Sequence, residues 1–394
     1  MSGNSRWLVM FVFTLAAAIN YLDRHLLSAL QPTLEAEFNL SSRDFGFLSS
    51  AFYAVYAVSS PLAGMIIDRV GLNPGITTAV GLWSLAGIAT GFTGGLGGLV
   101  ACRMWLGAAE SAVIPGNAKA AGMYVAPRQR ALGAAVGQVG LTLGSSCAPL
   151  LASFLAPRYG WRSTFVLAGF LGFLWIPTWL LLSRRNPPTQ TLRTGGPGGA
   201  TVWKDRRIWG LVVANMLGMT VYSLWTTWTT KFLVRTYTLT QDEANLTLAW
   251  IPPIFQLLGG LAGGVISYKL ARPGVSLVDA RFRAALVGAV ALLATAAAPH
   301  LPTPTMATLA IGFSCFWSLV FSVNIYSLPL DLFGPERAAT GVSALTGAYG
   351  LMSMFISPMI GGSVDQYGFG PACTVISMLP LAACGVLYWT LRRS

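Results

Sequence analysis

Six consecutive residues, Asn20-Tyr21-Leu22-Asp23-Arg24-His25, put three ionisable side chains in a row inside an apolar stretch that runs from Trp7 to about Leu30. A charge at bilayer depth costs about 3 kcal/mol or more, so such groups face a protein interior or a water-filled path and mark substrate or proton routes. Two further charges, Arg103 and Glu110, stand in a second apolar run over about residues 99–123. If the first helix starts near Trp7, Asp23 lies ~24 Å along it at ~1.5 Å per residue. Arg103 on a helix of opposite sense reaches a similar depth, and Glu110 lies ~10 Å further along nearly the same face. Asp23, Arg24, Arg103 and Glu110 together sum to zero charge. An anion entering such a site leaves one uncompensated negative charge in a poorly solvated place, and the cheapest relief is protonating a carboxylate. Anion and proton would then move together. The competing reading is that two ion pairs bolt the two helices to each other.

Tyr53 and Tyr56, three apart on one face of the next helix, are placed to donate hydrogen bonds to a carboxylate or hydroxyl, or to pack in the core. His25 points about 100° around its helix from Arg24 and reads more readily as packed than as a proton relay. Lys119 lies near a helix end, from which its chain snorkels to water. The second half of the chain carries no acidic or basic residue deep inside an apolar run, Lys231 lying at the end of one. It offers Tyr222, Trp225, Thr226, Trp228 and Thr229, then Trp250 and Gln256, then Ser314, Trp317, Ser318 and Asn324. Such aromatics and amides suit the sides of a hydroxylated or aromatic substrate, with Trp317 the candidate carried forward; as single residues most of them read as packing.

The elements that must position these groups are membrane helices. Of the 394 residues 54% are hydrophobic and 10% charged, where a soluble domain carries roughly a quarter charged. Apolar runs of about 20 residues recur from end to end, each long enough to cross a ~30 Å hydrocarbon core. They are continuous instead of alternating, which excludes a barrel of strands. The +12 formal charge does not mark a nucleic-acid binder. Its Arg and Lys fall in alternate loops: Arg128 and Arg130; Arg184, Arg185, Arg193, Lys204, Arg206 and Arg207; Lys269, Arg272, Arg281 and Arg283; Arg392 and Arg393. That is the positive-inside pattern, and it puts both termini and the central loop in the cytoplasm. The expected location is a cell (bacterial inner) membrane. The five cysteines, Cys102, Cys147, Cys315, Cys373 and Cys384, lie within or beside apolar runs without CxxC spacing and read as packing residues. The start of the chain resembles a secretory signal, but cleavage would remove the start of the first helix, so an uncleaved helix is expected.

An all-α membrane protein of twelve transmembrane helices follows: about 7–30, 45–67, 75–95, 99–123, 131–155, 163–183, 207–231, 243–268, 282–299, 304–325, 338–362 and 371–391. The Pro-, Gly- and Thr-rich segment 184–206 is a cytoplasmic linker between six-helix bundles over 1–183 and 207–394. The halves echo one another. Pro127-Arg128-Gln129-Arg130-Ala131-Leu132-Gly133 enters helix 5 and Pro335-Glu336-Arg337-Ala338-Ala339-Thr340-Gly341 enters helix 11. Tyr159-Gly160-Trp161 and Tyr367-Gly368-Phe369 leave them at the same offset. Two six-helix pseudo-repeats that rock about a midplane site are the architecture of the major facilitator fold. Helices 5 and 11 also carry small-residue stripes, Gly137, Gly140 and Gly144, and Gly347 and Gly350, each followed by a proline, Pro149 or Pro358. Such stripes permit close helix packing.

Gly64-Met65-Ile66-Ile67-Asp68-Arg69-Val70-Gly71 resembles the Gly-x-x-x-Asp-Arg-x-Gly signature between helices 2 and 3 of the major facilitator superfamily. Asp68 and Arg69 there are a candidate conformational latch, without the usual trailing basic residues because Leu72 and Asn73 follow. In the second half Tyr268 stands four residues after Gly264, and the copy is degenerate. Over nearly its whole length the chain resembles the anion:cation symporter family of that superfamily. The resemblance is carried by Asn20 to Arg24, by Arg103-Met104-Trp105-Leu106-Gly107-Ala108-Ala109-Glu110, by Gly137 to Pro149, and by Gly160-Trp161-Arg162 with Phe165. It implies that Arg24 binds a substrate carboxylate with Tyr21 and Tyr56 nearby, that Asp23 and Glu110 couple protons, and that Arg103 pairs with an acid or tunes it. It also implies a transporter acting as a monomer on a small organic anion and a proton, with no cofactor and no metal. Ala344-Leu345-Thr346-Gly347 lacks the Asn common in sugar-acid members, so the expected substrate class is a small carboxylate before it is a sugar acid. Two other readings stand beside proton-coupled symport. One is a proton antiporter exporting drugs or metabolites, whose Gly-Pro-x-x-Gly-Gly element Gly144-Ser145-Ser146-Cys147-Ala148-Pro149 does not match. The other is a sensor on a transporter fold, a class that often loses the charged set. No arrangement of nucleophile, base and orienting group suggests an enzyme.

Overall fold

The computed structural model describes residues 3–125, 130–186, 199–271 and 273–392. Among them there is no strand. The first half holds α1 (Gly3–Ala29), α2 (Gln31–Phe38), α3 (Ser42–Val70), α4 (Leu72–Thr90), α5 (Leu96–Glu110), α6 (Val113–Tyr124), α7 (Arg130–Tyr159) and α8 (Trp161–Arg185). The second holds α9 (Arg206–Gly218), α10 (Thr220–Tyr237), α11 (Gln241–Ala244), α12 (Ile251–Leu270), α13 (Leu277–Ala291), α14 (Pro304–Phe333), α15 (Pro335–Tyr367) and α16 (Phe369–Arg392).

Among the described residues ten helical segments are long and apolar enough to cross a membrane. The third and fourth predicted crossings are the ones that fall short. α4 has 19 residues and dilutes its apolar character with Asn73, Pro74, Thr77 and Thr78. The helix expected without interruption over 99–123 is broken at Ser111 and Ala112 into α5, of 15 residues, and α6, of 12. The cause is local. Pro115 has no N–H to give the carbonyl four residues earlier, and Ser111 turns its hydroxyl onto the Ala108 carbonyl at 2.7 Å. The break leaves Glu110 as the last residue of α5.

Contacts divide the chain into two compact units, one of Met1–Asn39, Ala51–Thr194 and Thr240–Trp250, the other of Leu40–Ser50, Gly195–Leu239 and Ile251–Ser394. In the first unit α1 lies along α7. A methyl at Gly140 would meet the Thr14 carbonyl oxygen, and one at Gly144 the backbone of Ala18 and Leu22, so the glycine stripe is what lets the two backbones touch. On another side of α1, Phe13 packs edge-on against Trp175 and Trp179 of α8, and Trp175 Nε1 donates to the Val12 carbonyl at 2.6 Å. In the second unit Asn215 Nδ2 donates to the Leu345 carbonyl at 2.8 Å, tying α9 to α15. Asn324 Nδ2 donates to the carbonyls of Gly263 and Val320.

The matched junctions of the two halves share a backbone form. Gly160, between α7 and α8, and Gly368, between α15 and α16, have φ of 79° and 75°, values that favour glycine. A second correspondence was not anticipated from the sequence. Asn39 and Thr238 both take left-handed φ, 53° and 54°, and each is followed by Leu and a capped helix start. Ser41 and Asp44 exchange hydrogen bonds before α3, as Thr240 and Glu243 do before α11. The signal was present as Ser41-Ser42-Arg43-Asp44 and Thr240-Gln241-Asp242-Glu243, two capping boxes.

Candidate functional site

The charged residues of α1 and α5 meet inside the first unit. Arg24 Nε and Nη2 both donate to Glu110 Oε2, at 3.0 Å and 2.9 Å. The Glu110 side chain is fully buried, and that of Arg24 is 13% exposed. Close approach of α3 makes room for this pair. Gly107, one turn before Glu110, lies against the Phe52 carbonyl, where any side chain would collide. The Arg24 guanidinium in turn lies 4.8 Å from the Tyr21 ring, 4.8 Å from Phe52 and 5.1 Å from Tyr56. Three ring faces around one cation replace part of the hydration that burial removes, each adding up to about 2 kcal/mol where water is excluded.

Asp23 is differently placed. It is 2% exposed, its charged neighbours are Glu110 and Arg103, and neither carboxylate oxygen has a hydrogen-bond partner. Arg103, also 2% exposed, has its guanidinium 5.7 Å from the Phe165 ring of α8, and its Nε is unpartnered. The expected pair of contact ion pairs is therefore a single one, Arg24 with Glu110. Asp23 and Arg103 form a second set within electrostatic reach. Two fully made pairs would be needed for a purely structural bolt. A buried carboxylate with nothing bonded to it is costly unless it takes up a proton or gains a partner.

Tyr21, Tyr53 and Tyr56 all lie near Arg24, and Tyr53 and Tyr56 both pack on Phe52, edge-on at 5.1 Å and stacked at 5.6 Å. Sequence reasoning picked the tyrosines and missed Phe52, whose signal was its spacing of four from Tyr56. His25 lies beside Tyr21, ring centroids 5.9 Å apart. Lys119 Nζ donates to the Ile67 carbonyl at 2.9 Å, so it caps the end of α3 away from the charged set. Arg69 is exposed at that end and Gly71 turns the chain with φ 96°, while the side chain of Asp68 lies outside the described residues. Trp317 belongs to the second unit, half-buried between Phe313 and Phe316, 6.2 Å and 5.3 Å away. Among the described residues no cluster of His, Cys, Asp and Glu suits a metal ion.

The family model of the Major Facilitator Superfamily matches residues 13–358. The chain is 26% identical to a hexuronate transporter of Escherichia coli strain K12, over 99% of this chain and 94% of that protein. It is 25% identical to a galacturonate transporter of Dickeya chrysanthemi, over 66% and 80% of the two chains, and 26% identical to a D-galactonate transporter of Escherichia coli O6:H1, over 96% and 94%. In fold it is similar to a bacterial homologue of the human lysosomal transporter Spinster, with a TM-score of 0.75 and 20% identity over 100% of this chain and 93% of that one. The chain belongs to the major facilitator superfamily and is grouped by its relatives with the anion:cation symporter type. It is a multi-pass membrane transporter and not an enzyme.

Proposed function

We propose that the protein is a secondary active transporter that moves a small organic anion, a carboxylate of the sugar-acid kind, together with a proton by alternating access. Twelve spans in two six-helix bundles, over 1–183 and 207–394 and joined by the linker 184–206, with both termini cytoplasmic, are the arrangement in which it would work. The observation that carries the reading is Asp23: a buried carboxylate without a hydrogen-bond partner, beside Arg103 and one residue from the Arg24–Glu110 pair. Three relatives that carry sugar acids by name support the substrate class.

In mechanism, Arg24 is the carboxylate receptor. A guanidinium offers a planar fork that matches a carboxylate bidentately, and an incoming anion competes with Glu110 for it. Glu110, released inside a poorly solvated space, is then the cheapest group to protonate, with Asp23 as the second proton site and Arg103 as the fixed cation that holds Asp23 charged between cycles. Tyr21, Tyr53 and Tyr56 border the anion with hydroxyl donors, and Trp317 is the aromatic side offered by the second half. Asp68 and Arg69 latch one state of the cycle. The protein acts as a monomer and needs no cofactor.

The test is uptake of labelled D-glucuronate, D-galacturonate, D-galactonate and smaller carboxylates into proteoliposomes, with and without an inward proton gradient. Gradient-stimulated uptake that disappears in Asp23→Asn with Glu110→Gln supports the reading. Equal uptake with and without the gradient, or outward movement of cationic drugs with no carboxylate uptake, rejects it.

A further inference from the structure

We infer that Asn20 is a positioning residue for Asp23, an amide that partners this carboxyl in both of its protonation states. The inference rests on the coupling role proposed for Asp23 and extends it to a residue with no role so far. Asn20 precedes Asp23 by three positions, which on a helix sets the two side chains on one face with Cβ atoms about 5–6 Å apart. Asn20 is 0% exposed. Neither its Oδ1 nor its Nδ2 has a partner, and the same holds for both oxygens of Asp23.

Four orphaned polar atoms on adjacent turns of one helix are not a packing solution. Each unmade group costs about 1–3 kcal/mol, and a leucine has the same branched outline without that cost. The direction is set by the glycine stripe. Gly140 and Gly144 seat α7 on Thr14, Ala18 and Leu22, and at 100° per residue Asn20 and Asp23 fall on the other side of α1. Arg103 and Glu110 of α5 are the charges that act on Asp23. The other ionisable groups acting in this interior are Arg24 and Tyr21 on α1 itself, Cys102 on α5 and Tyr53 and Tyr56 on α3.

Chemistry selects the amide. A carboxylate only accepts hydrogen bonds, whereas a carboxylic acid also donates one. Arg103 serves the charged form alone, because a guanidinium has no acceptor. Asn20 serves both: Nδ2 donates to the carboxylate, and after half a turn about χ2 Oδ1 accepts the acid proton, directly or through one shared water. The amide thus keeps the two forms of Asp23 close in energy, the condition for releasing a proton as readily as taking one up.

Infrared difference spectroscopy of the purified full-length protein, recorded through a pH titration, tests this without any transported ligand. The carboxylic-acid C=O band that vanishes in Asp23→Asn belongs to Asp23. In Asn20→Leu this band moves to higher wavenumber, because the acid has lost its hydrogen bond, and its titration midpoint rises by up to about one pH unit, the excess of a hydrogen bond to the charged form over one to the neutral form. Asn20→Ser, which keeps a group able to donate and accept, lies between the two and serves where the leucine variant does not fold. A band and midpoint unchanged in either folded variant overturn the inference. The band shift occurring in a protein that takes up D-glucuronate without regard to a proton gradient upholds the pairing and rejects the proposed function instead.

Discussion

The two halves of the molecule solve the problem of buried polarity in opposite ways. In the first unit α1 and α5 bring two arginines and two carboxylates into the interior, and of these four only Arg24 and Glu110 are in contact. In the second unit the deep polar side chains are neutral and most lean on the main chain or on one another: Asn215 on Leu345, Asn324 on Gly263 and Val320, Thr295 on Ser314. Ion pairs there, such as Arg281 with Asp331 and Arg207 with Asp205, sit near helix ends. Asn215 and Asn324 each bond through Nδ2 and leave Oδ1 unpartnered, the smaller cost of a neutral group. An unsatisfied carboxylate is a standing cost, and the first unit keeps one where a leucine would be cheaper.

The sharpest way to break this contrast is Arg24→Ala. It removes the proposed receptor and strands Glu110 in the interior, so uptake falls to background and stability drops by about 3–5 kcal/mol, the usual result of removing one partner of a buried pair. Thermal unfolding in detergent separates the two effects when the protein is also made with Glu110→Gln. The double variant recovers stability and stays inactive. Next in size is Gly144→Leu, which forces α1 off α7 where the Ala18 carbonyl sits against the glycine. Overpacking here costs about 1–3 kcal/mol or more, and yield of folded protein reports it. Asp23→Asn is expected to change stability much less than Arg24→Ala, since the buried charge it removes has no bonded partner while Arg103 loses an anion within electrostatic reach. Gradient-driven uptake by that variant falls while exchange of anion for anion persists. The smallest effect belongs to the second unit: Asn215→Leu loses one hydrogen bond to Leu345, about 1 kcal/mol, with uptake per folded molecule unchanged.

The charged set was legible in the sequence because charge in an apolar run is rare and helical spacing gives depth and face directly. That Asp23, Arg24, Arg103 and Glu110 share one interior followed from that arithmetic; the contact of Arg24 with Glu110 did not, since depth set Arg103 level with Asp23 and Glu110 ~10 Å further along. What was not legible was which acid each arginine takes, since this depends on the approach of α3 at Gly107, a tertiary contact that spacing does not encode. The break after Glu110 was hidden for another reason. Ser111 and Pro115 are weak breakers in a membrane helix when read alone, and the run over 99–123 stayed apolar through both. Phe52 was overlooked because a phenylalanine among tyrosines looks like core, and its value as a ring face for a cation appears only once Arg24 stands over it. The capping boxes at Ser41 and Thr240 are short polar patterns at the ends of apolar runs, and hydrophobic periodicity does not report them.

The central claim is that binding an anion at Arg24 draws a proton onto the buried carboxylates. Isothermal titration of purified protein with D-glucuronate, in buffers that differ in ionisation enthalpy, counts protons exchanged per anion bound. The account predicts uptake of about one proton per anion below neutral pH, the charge needed to keep the site neutral, and none in Asp23→Asn with Glu110→Gln. Binding with no proton exchange in the unaltered protein would contradict it.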